Sequence, residues 1–316
     1  MRHVALLDNP ASGQHSAGRA AVVRNMLAAF QAEGVKAEHL VIDGPGSGVQ
    51  LAQAAIARGC DTIIVCGGDG TVHEVLQCLA GTTIALGVVP LGTANALAAD
   101  LGLNGSPEKT LRALLAANRV QVPLGKIYFH DAHGTEHSRY FTVAAGVGAD
   151  ALLMSRLDAG LKRRFGYALY MIEAFRIWVT HSFPLFEARF KVNGTDATRT
   201  VMLSQLLAVR VRSFGGVLQE LAPGATLHGQ SLCLLAFKTR SRLDYFRFLM
   251  AVIFHRHTFA RQIELIETQA VECHAGSDAH GPMFVEADGD VLGQLPARLE
   301  VSAQTLTLLI PPHARP

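Results

Sequence analysis

A chain of 316 residues exceeds an ordinary single domain and suits two, because domains commonly run about 100–200 residues. Apolar residues make up 49% and charged residues 17%, which supplies packed cores and excludes a disordered chain. A net charge of +2 excludes a nucleic-acid binder that works through a broad basic surface, so no nucleic-acid partner is expected.

Taken in chain order, the first part alternates strand and helix. Residues 4–7 form a short apolar strand, too short for a signal peptide, and Asn9-Pro10-Ala11-Ser12-Gly13 ends it. Val23, Leu27 and Phe30 then recur on a helical face that Gly34 closes. Residues 40–42 read as strand and 51–58 as helix, and residues 62–66 are a β-branched strand of the buried, parallel kind. After Gly70, the residues Val72, Val75, Leu76 and Leu79 take helical spacing. Residues 84–89 form another buried strand, followed by a turn and a helix from Asn95 to about Leu101. Such repeated βα units build a parallel sheet with helices on its faces.

The pattern changes near residue 123. Residues 186–192 alternate apolar and polar, and Asn193-Gly194 is a hairpin signal. Further alternating segments are expected at residues 201–211, 231–238, 263–267 and 299–310. The expected architecture is an α/β domain over 1–123 and a β-rich, mainly antiparallel domain over 124–297. Residues 298–316 are expected to return to the first, and the cleft between the domains is the default site. No run approaches the roughly 20 apolar residues of a spanning helix. The five cysteines (Cys60, Cys66, Cys78, Cys233, Cys273) form no CxxC pair, so the chain reads as cytoplasmic and reduced.

Three loops carry phosphate chemistry. Gly67-Gly68-Asp69-Gly70-Thr71 lies between a buried strand and an amphipathic helix, where glycines let the backbone approach a ligand and helix amides face an anion. Asp69 places a carboxylate there, which a divalent cation or a proton makes tolerable. The alternative is a tight turn with a capping aspartate. Asn9-Pro10-Ala11-Ser12-Gly13 and Pro90-Leu91-Gly92-Thr93-Ala94-Asn95 offer more donors at the same sheet edge, though each alone reads as an ordinary capped turn. Near the far end, Glu286-Ala287-Asp288-Gly289-Asp290 supplies two carboxylates one glycine apart, suited to deprotonating a hydroxyl or holding a metal. Read alone, that segment is a surface Asp-Gly turn.

These loops, with Glu74, Gly146-Val147-Gly148-Ala149-Asp150 and Phe214-Gly215-Gly216, are collinear along nearly the whole chain. Together they resemble the diacylglycerol kinase catalytic-domain family, in its bacterial soluble lipid kinase branch related to sphingosine and ceramide kinases. The resemblance implies ATP bound by the first domain through Asn9, Pro10, Ala11, Ser12, Gly13, Gly67, Gly68, Asp69, Gly70, Thr71, Val72, His73, Thr93 and Asn95. It implies a membrane lipid, such as diacylglycerol, entering between the domains. It gives Asp69 a role through magnesium and water, and gives Asp290, with Asp288 beside it, the role of proton acceptor. Three departures stand out: Asp290 replaces the family's Glu; His228-Gly229-Gln230-Ser231-Leu232 replaces an Asp-Gly-x-Leu-Asp segment that holds a structural metal in relatives; and the loop Ile42-Asp43-Gly44-Pro45 lacks a Thr that often contacts the nucleotide.

The expected function is ATP-dependent phosphorylation of a membrane lipid, with transient peripheral contact at the inner face of the membrane. Leu161-Lys162-Arg163-Arg164-Phe165 and residues 245–254, leading into His255-Arg256-His257, combine basic and aromatic residues suited to an anionic interface. A core helix with solvated ends is the alternative for the second. A kinase of a soluble acceptor such as NAD and a catalytically inactive nucleotide-binding regulator are the rival functions. A homodimer stays open.

Overall fold

A computed structural model describes residues 1–13, 18–156, 167–191, 197–214, 221–253, 262–277 and 281–314. The chain forms two compact units, Met1–Leu124 with Ala303–Pro316, and Gly125–Ser302.

The first unit alternates β1 (His3–Asp8), α1 (Arg19–Ala32), β2 (Lys36–Val41), α2 (Ser47–Ala57), β3 (Thr62–Gly67), α3 (Asp69–Leu79), β4 (Ala85–Pro90), α4 (Ala96–Asp100) and α5 (Pro107–Leu115). β3 is buried at all six residues, as an apolar, β-branched run must be when helices cover both faces of a sheet. The strands pair in parallel in the order β2–β1–β3–β4. The end of the last strand, β15 (Asp290–Ile310), adds a parallel partner through Thr307 and Leu308 against Ala85 and Leu86. From β1 the chain goes to β2 on one side and returns to β3 on the other. Connections diverge there, which opens a ligand position at the carboxyl ends of β1 and β3. On α3 the apolar stripe turns inward as its spacing requires: Val72, Val75, Leu76 and Leu79 are at most 3% exposed.

The second unit is mainly antiparallel. β12 (Ile263–Thr268), β11 (Leu232–Phe237), β10 (Gln205–Val209), β7 (Ala144–Gly148), β14 (Phe284–Ala287) and the start of β15 pair in that order. β9 (Thr198–Leu203), β8 (Phe186–Lys191) and β13 (Ala270–Ala275) continue to β15, and β5 (Asn118–His130) pairs with β6 (Glu136–Phe141). Phe129, Phe141, Phe186 and Phe190 anchor the core. β8 alternates as its sequence predicts; its turn residues Asn193 and Gly194 lie outside the described residues.

Residues 201–211 do not form one strand. Ser204 divides them, because its buried Oγ donates to main-chain oxygen while its amide donates to the Phe237 carbonyl at 2.9 Å. β11 does not alternate either: all six residues are buried, and Phe237 stacks against Tyr245 and meets Phe248 of α8 (Arg242–Ile253) at 4.9 and 5.1 Å. Two further helices, α6 (Ala149–Arg156) and α7 (Tyr167–Thr180), were not expected from periodicity. Residues 161–165, Gly215, Gly216 and residues 254–257 lie outside the described residues. Among the described residues, no helix is long and apolar enough to cross a membrane.

Candidate active site

The three loops of the first unit meet through main-chain and side-chain hydrogen bonds. The Asn9 amide donates to the Cys66 carbonyl at 3.1 Å, and Asn9 Nδ2 donates to Thr71 Oγ1 at 2.7 Å. The Leu91 amide donates to the Gly67 carbonyl at 2.9 Å, and the Ala96 amide donates to Asp69 Oδ1 at 2.8 Å. Asp69 thus caps the start of α4 rather than its own helix, where no side chain caps. A Cβ on Gly92 would lie 2.4 Å from the Gly68 Cα, and one on Gly13 2.1 Å from the Leu91 carbonyl oxygen. Only glycine permits that approach, and Gly13, at φ +81°, also needs the left-handed region.

Pro10, Ala11, Gly70, Thr93 and Ala94 form the exposed lip of this edge, with Ser12, Gly68 and Asp69 half-buried beside them. Val72 and His73 are 3% and 4% exposed, so their side chains belong to the core. The amides of Thr71 and Val72 close the first turn of α3 on the Gly68 carbonyl. Asn95, left-handed at φ +53°, spends its amide on its own loop: Oδ1 accepts from the Gly92 amide at 2.9 Å and Nδ2 donates to the Gly92 carbonyl at 2.8 Å. Glu74 accepts from the Val49 amide at 3.3 Å, tying α3 to α2.

Beneath the first loop is a buried cation that the motif reading missed. Arg19 is 7% exposed and donates from Nε to Asp8 Oδ1 at 2.8 Å, from Nη1 to the Ser12 carbonyl at 2.6 Å and from Nη2 to Ser12 Oγ at 2.9 Å. It fixes the loop from below. No local pattern marks it, since a single arginine at a helix start usually faces water.

For a hard divalent cation the first unit offers the Asp69 carboxylate among exposed main-chain groups, a donor set of the oxygen type such ions take. His3, Glu38 and Cys60 also bring potential ligand atoms within 4.8 Å of one another. They lie at the opposite ends of the strands, and Glu38 is already engaged by Arg58 and the Cys60 thiol, both at 2.9 Å. That cluster is an ion-pair network.

In the second unit the acidic segment is a tight hairpin turn between β14 and β15. Asp288 and Gly289 take φ +48° and +85°, the paired positive values of a type I′ turn. The two aspartates part company there. Asp290 is exposed, whereas Asp288 is 9% exposed. Asp288 Oδ1 accepts from the amides of Val143 (2.8 Å) and Ala144 (3.1 Å), and Oδ2 from the Thr142 amide (2.9 Å) and Oγ1 (3.1 Å). Four donors on two oxygens suit an anchor better than a base.

Glu286 and Asp150 form a second acid pair, whose role no motif announced. Both carboxyls lie over Gly146, where a Cβ would come within 2.8 Å of Asp150 and 2.9 Å of Glu286. Burial pushes the Glu286 carboxyl well above the usual carboxylate range, and the Asp150 charge adds to this; burial raises Asp150 as well. Glu286 is the deeper, 3% exposed against a half-buried Asp150, so burial favours its protonated form the more strongly. The Gly289 amide donates to Glu286 Oε2 at 2.9 Å, tying the pair to the turn.

Arg210 completes this region. It is 1% exposed, donates from Nη2 to the carbonyls of Leu227 (3.2 Å) and Gly229 (3.1 Å), and is pulled down to about 10 by burial, with the Asp288 charge opposing. A guanidinium therefore holds the 227–229 turn, at the start of the His228–Leu232 segment that departs from the family's pattern.

Comparison with known proteins bears on both units. The diacylglycerol kinase catalytic domain matches residues 3–127, and the YegS C-terminal NAD kinase beta sandwich-like domain matches residues 142–310. A diacylglycerol kinase of Mycobacterium tuberculosis (strain CDC 1551 / Oshkosh) is 30% identical over 315 residues, 98% of this chain and 96% of that protein. One of Bacillus subtilis (strain 168) is 25% identical over 299 residues, 94% of this chain and 92% of that protein. Among solved structures, a diacylglycerol kinase from Bacillus anthracis str. Sterne superposes with a TM-score of 0.67 at 18% identity, covering 99% of this chain and 98% of that one. Yeast NADH kinase, solved with NADH, superposes with a TM-score of 0.52 at 9% identity, over 97% of this chain and 78% of that one. Both structural likenesses are of fold.

Proposed function

The chain belongs to the diacylglycerol kinase catalytic-domain family, and from that membership and its loop geometry we propose that it transfers the γ-phosphoryl group of ATP to the hydroxyl of a membrane lipid. The observation that carries this reading is the main-chain packing of three βα loops at the carboxyl edge of a parallel sheet, with Gly13 and Gly92 at approaches no side chain allows. Such an edge presents amides and the N-terminus of α3, an 11-residue helix, to phosphate oxygens.

The chemistry divides between the units. Residues 9–13, 67–71 and Thr93 bind and orient the triphosphate, and Arg19 holds the first loop in place. Asp69 would hold magnesium, which would supply positive charge against the phosphate oxygens. The lipid hydroxyl is a weak nucleophile at neutral pH. As its oxygen forms the new bond to phosphorus, the bridging phosphate oxygen leaves with ADP and the hydroxyl proton passes to the Asp290 carboxylate. Asp288, bound by four donors, anchors the turn that carries Asp290.

The test is turnover of labelled ATP with magnesium and a panel of lipids in mixed micelles. ATP consumption that depends on added lipid is expected. Asp290→Asn should lower turnover by about 10²–10⁴-fold while leaving ATP affinity unchanged. ATP consumption with NAD as acceptor and none with any lipid would overturn the reading.

A further inference from the structure

Helices α7 and α8 are apolar on two opposite sides. Their inner sides bury Ile177, Phe248 and Val252, at 4%, 9% and 5% exposure. Their outer sides carry Ile172, Phe175 and Val179 at 60%, 64% and 45%, and Leu243 and Phe246 at 52% and 46%. A helix at a water surface normally has one polar side. Of the eight large hydrophobic side chains exposed among the described residues, five lie on these two helices, so the exposure is concentrated.

The two outer sides form one surface. The Trp178 ring lies 5.7 Å from Phe175 and 6.1 Å from Phe246, bridging the helices, and its Nε1 donates to the Arg242 carbonyl at 2.8 Å. Arg176, Arg240, Arg242 and Arg247 are exposed on the same helices and the adjoining turn. Their acidic neighbours are tucked in: Glu173 and Asp244 are 15% and 17% exposed, while their partners Arg176 and Arg247 stand out at 68% and 64%. The apolar surface is therefore flanked by outward positive charge.

We propose that this face of α7 and α8 docks the protein on an anionic lipid bilayer. Phe175, Phe246 and their aliphatic neighbours enter the boundary between headgroups and acyl chains, and the arginines meet lipid phosphates. Charge selects this occupant over a second copy of the chain: a twofold pairing of the face would set the same arginines against one another. The proposal rests on the lipid-acceptor reading only in that such an acceptor resides at this surface.

Co-sedimentation with phosphatidylcholine vesicles, with and without phosphatidylglycerol, tests it. Wild-type protein should bind the anionic vesicles, with binding weakened by salt. Phe175→Glu and Phe246→Glu should each lower partitioning by at least about tenfold, at unchanged melting temperature. Both variants should phosphorylate a short-chain, monomeric lipid at the wild-type rate. Replacing Arg176, Arg240 and Arg247 with serine should remove the preference for phosphatidylglycerol. Vesicle binding by the Phe175→Glu, Phe246→Glu double variant equal to wild type overturns the proposal. So does light scattering that shows a dimer the double variant splits, with no vesicle binding by either. Vesicle binding without phosphorylation of any lipid leaves the docking face standing and removes the lipid-kinase reading instead.

Discussion

The glycine loops of the first unit and the acidic turn of the second reach order by different routes. The loops are main chain packed on main chain: Gly68 lies against Gly92, and Gly13 lies under the Leu91 carbonyl. The turn is held by side chains that meet across the sequence, with Asp288 bound by residues 142–144, Glu286 paired with Asp150, and Arg210 tied to residues 227–229. A site of the first kind depends on the absence of a side chain at particular positions, here Gly13 and Gly92. A site of the second kind depends on polar groups that satisfy one another in a buried setting, where removing one strands the others.

The largest effect should come from stranding buried acceptors. Arg210→Met removes a fully buried guanidinium and leaves the Leu227 and Gly229 carbonyls without that donor, so about 1–3 kcal/mol of stability should be lost. Urea unfolding measures this, and a loss below about 1 kcal/mol would mean the second region is not held by its polar network. The main-chain route is probed next. Gly13→Ala meets both a left-handed φ of +81° and a carbonyl oxygen 2.1 Å away, so the strain alone should cost about 1–2 kcal/mol. Titration calorimetry should find ATP binding lost in this variant and kept in Gly18→Ala, whose added Cβ meets nothing within 4 Å.

The smallest effect sharpens the comparison through pH. In the folded chain Glu286 keeps its proton above the value of 4.5 at which an ordinary glutamate loses it. Its contribution to stability is therefore fully present below that value and is lost as pH rises through the raised one, because the unfolded chain then binds fewer protons. Glu286→Gln, which does not titrate, should show a shallower fall of melting temperature than wild type as pH rises above 4.5. Parallel curves would show that Glu286 ionises freely.

The turn residues of the first unit were readable because each works within its own few residues: glycine admits positive φ and close approach wherever it stands. The inward stripe of α3 was readable for the same reason, since helical spacing alone places Val72, Val75, Leu76 and Leu79 on one side. Helix α7 was not, because residues apolar on two sides give no amphipathic period, and β11 was misread because both its faces are covered. Arg19 and Arg210 were invisible for a further reason: each is a lone cation whose partners lie elsewhere in the chain.

By itself the sequence determined the kinds of backbone the chain would adopt: a parallel βα unit, an antiparallel β unit, glycine turns at one sheet edge, and an Asp-Gly hairpin near the end. Only the tertiary structure decided which aspartate of that hairpin faces inward and which faces water. A dihedral angle is a local property of a residue and its neighbours. Whether a carboxylate is buried among four donors or lies exposed depends on chain more than a hundred residues away, as the separation of 146 between Thr142 and Asp288 shows.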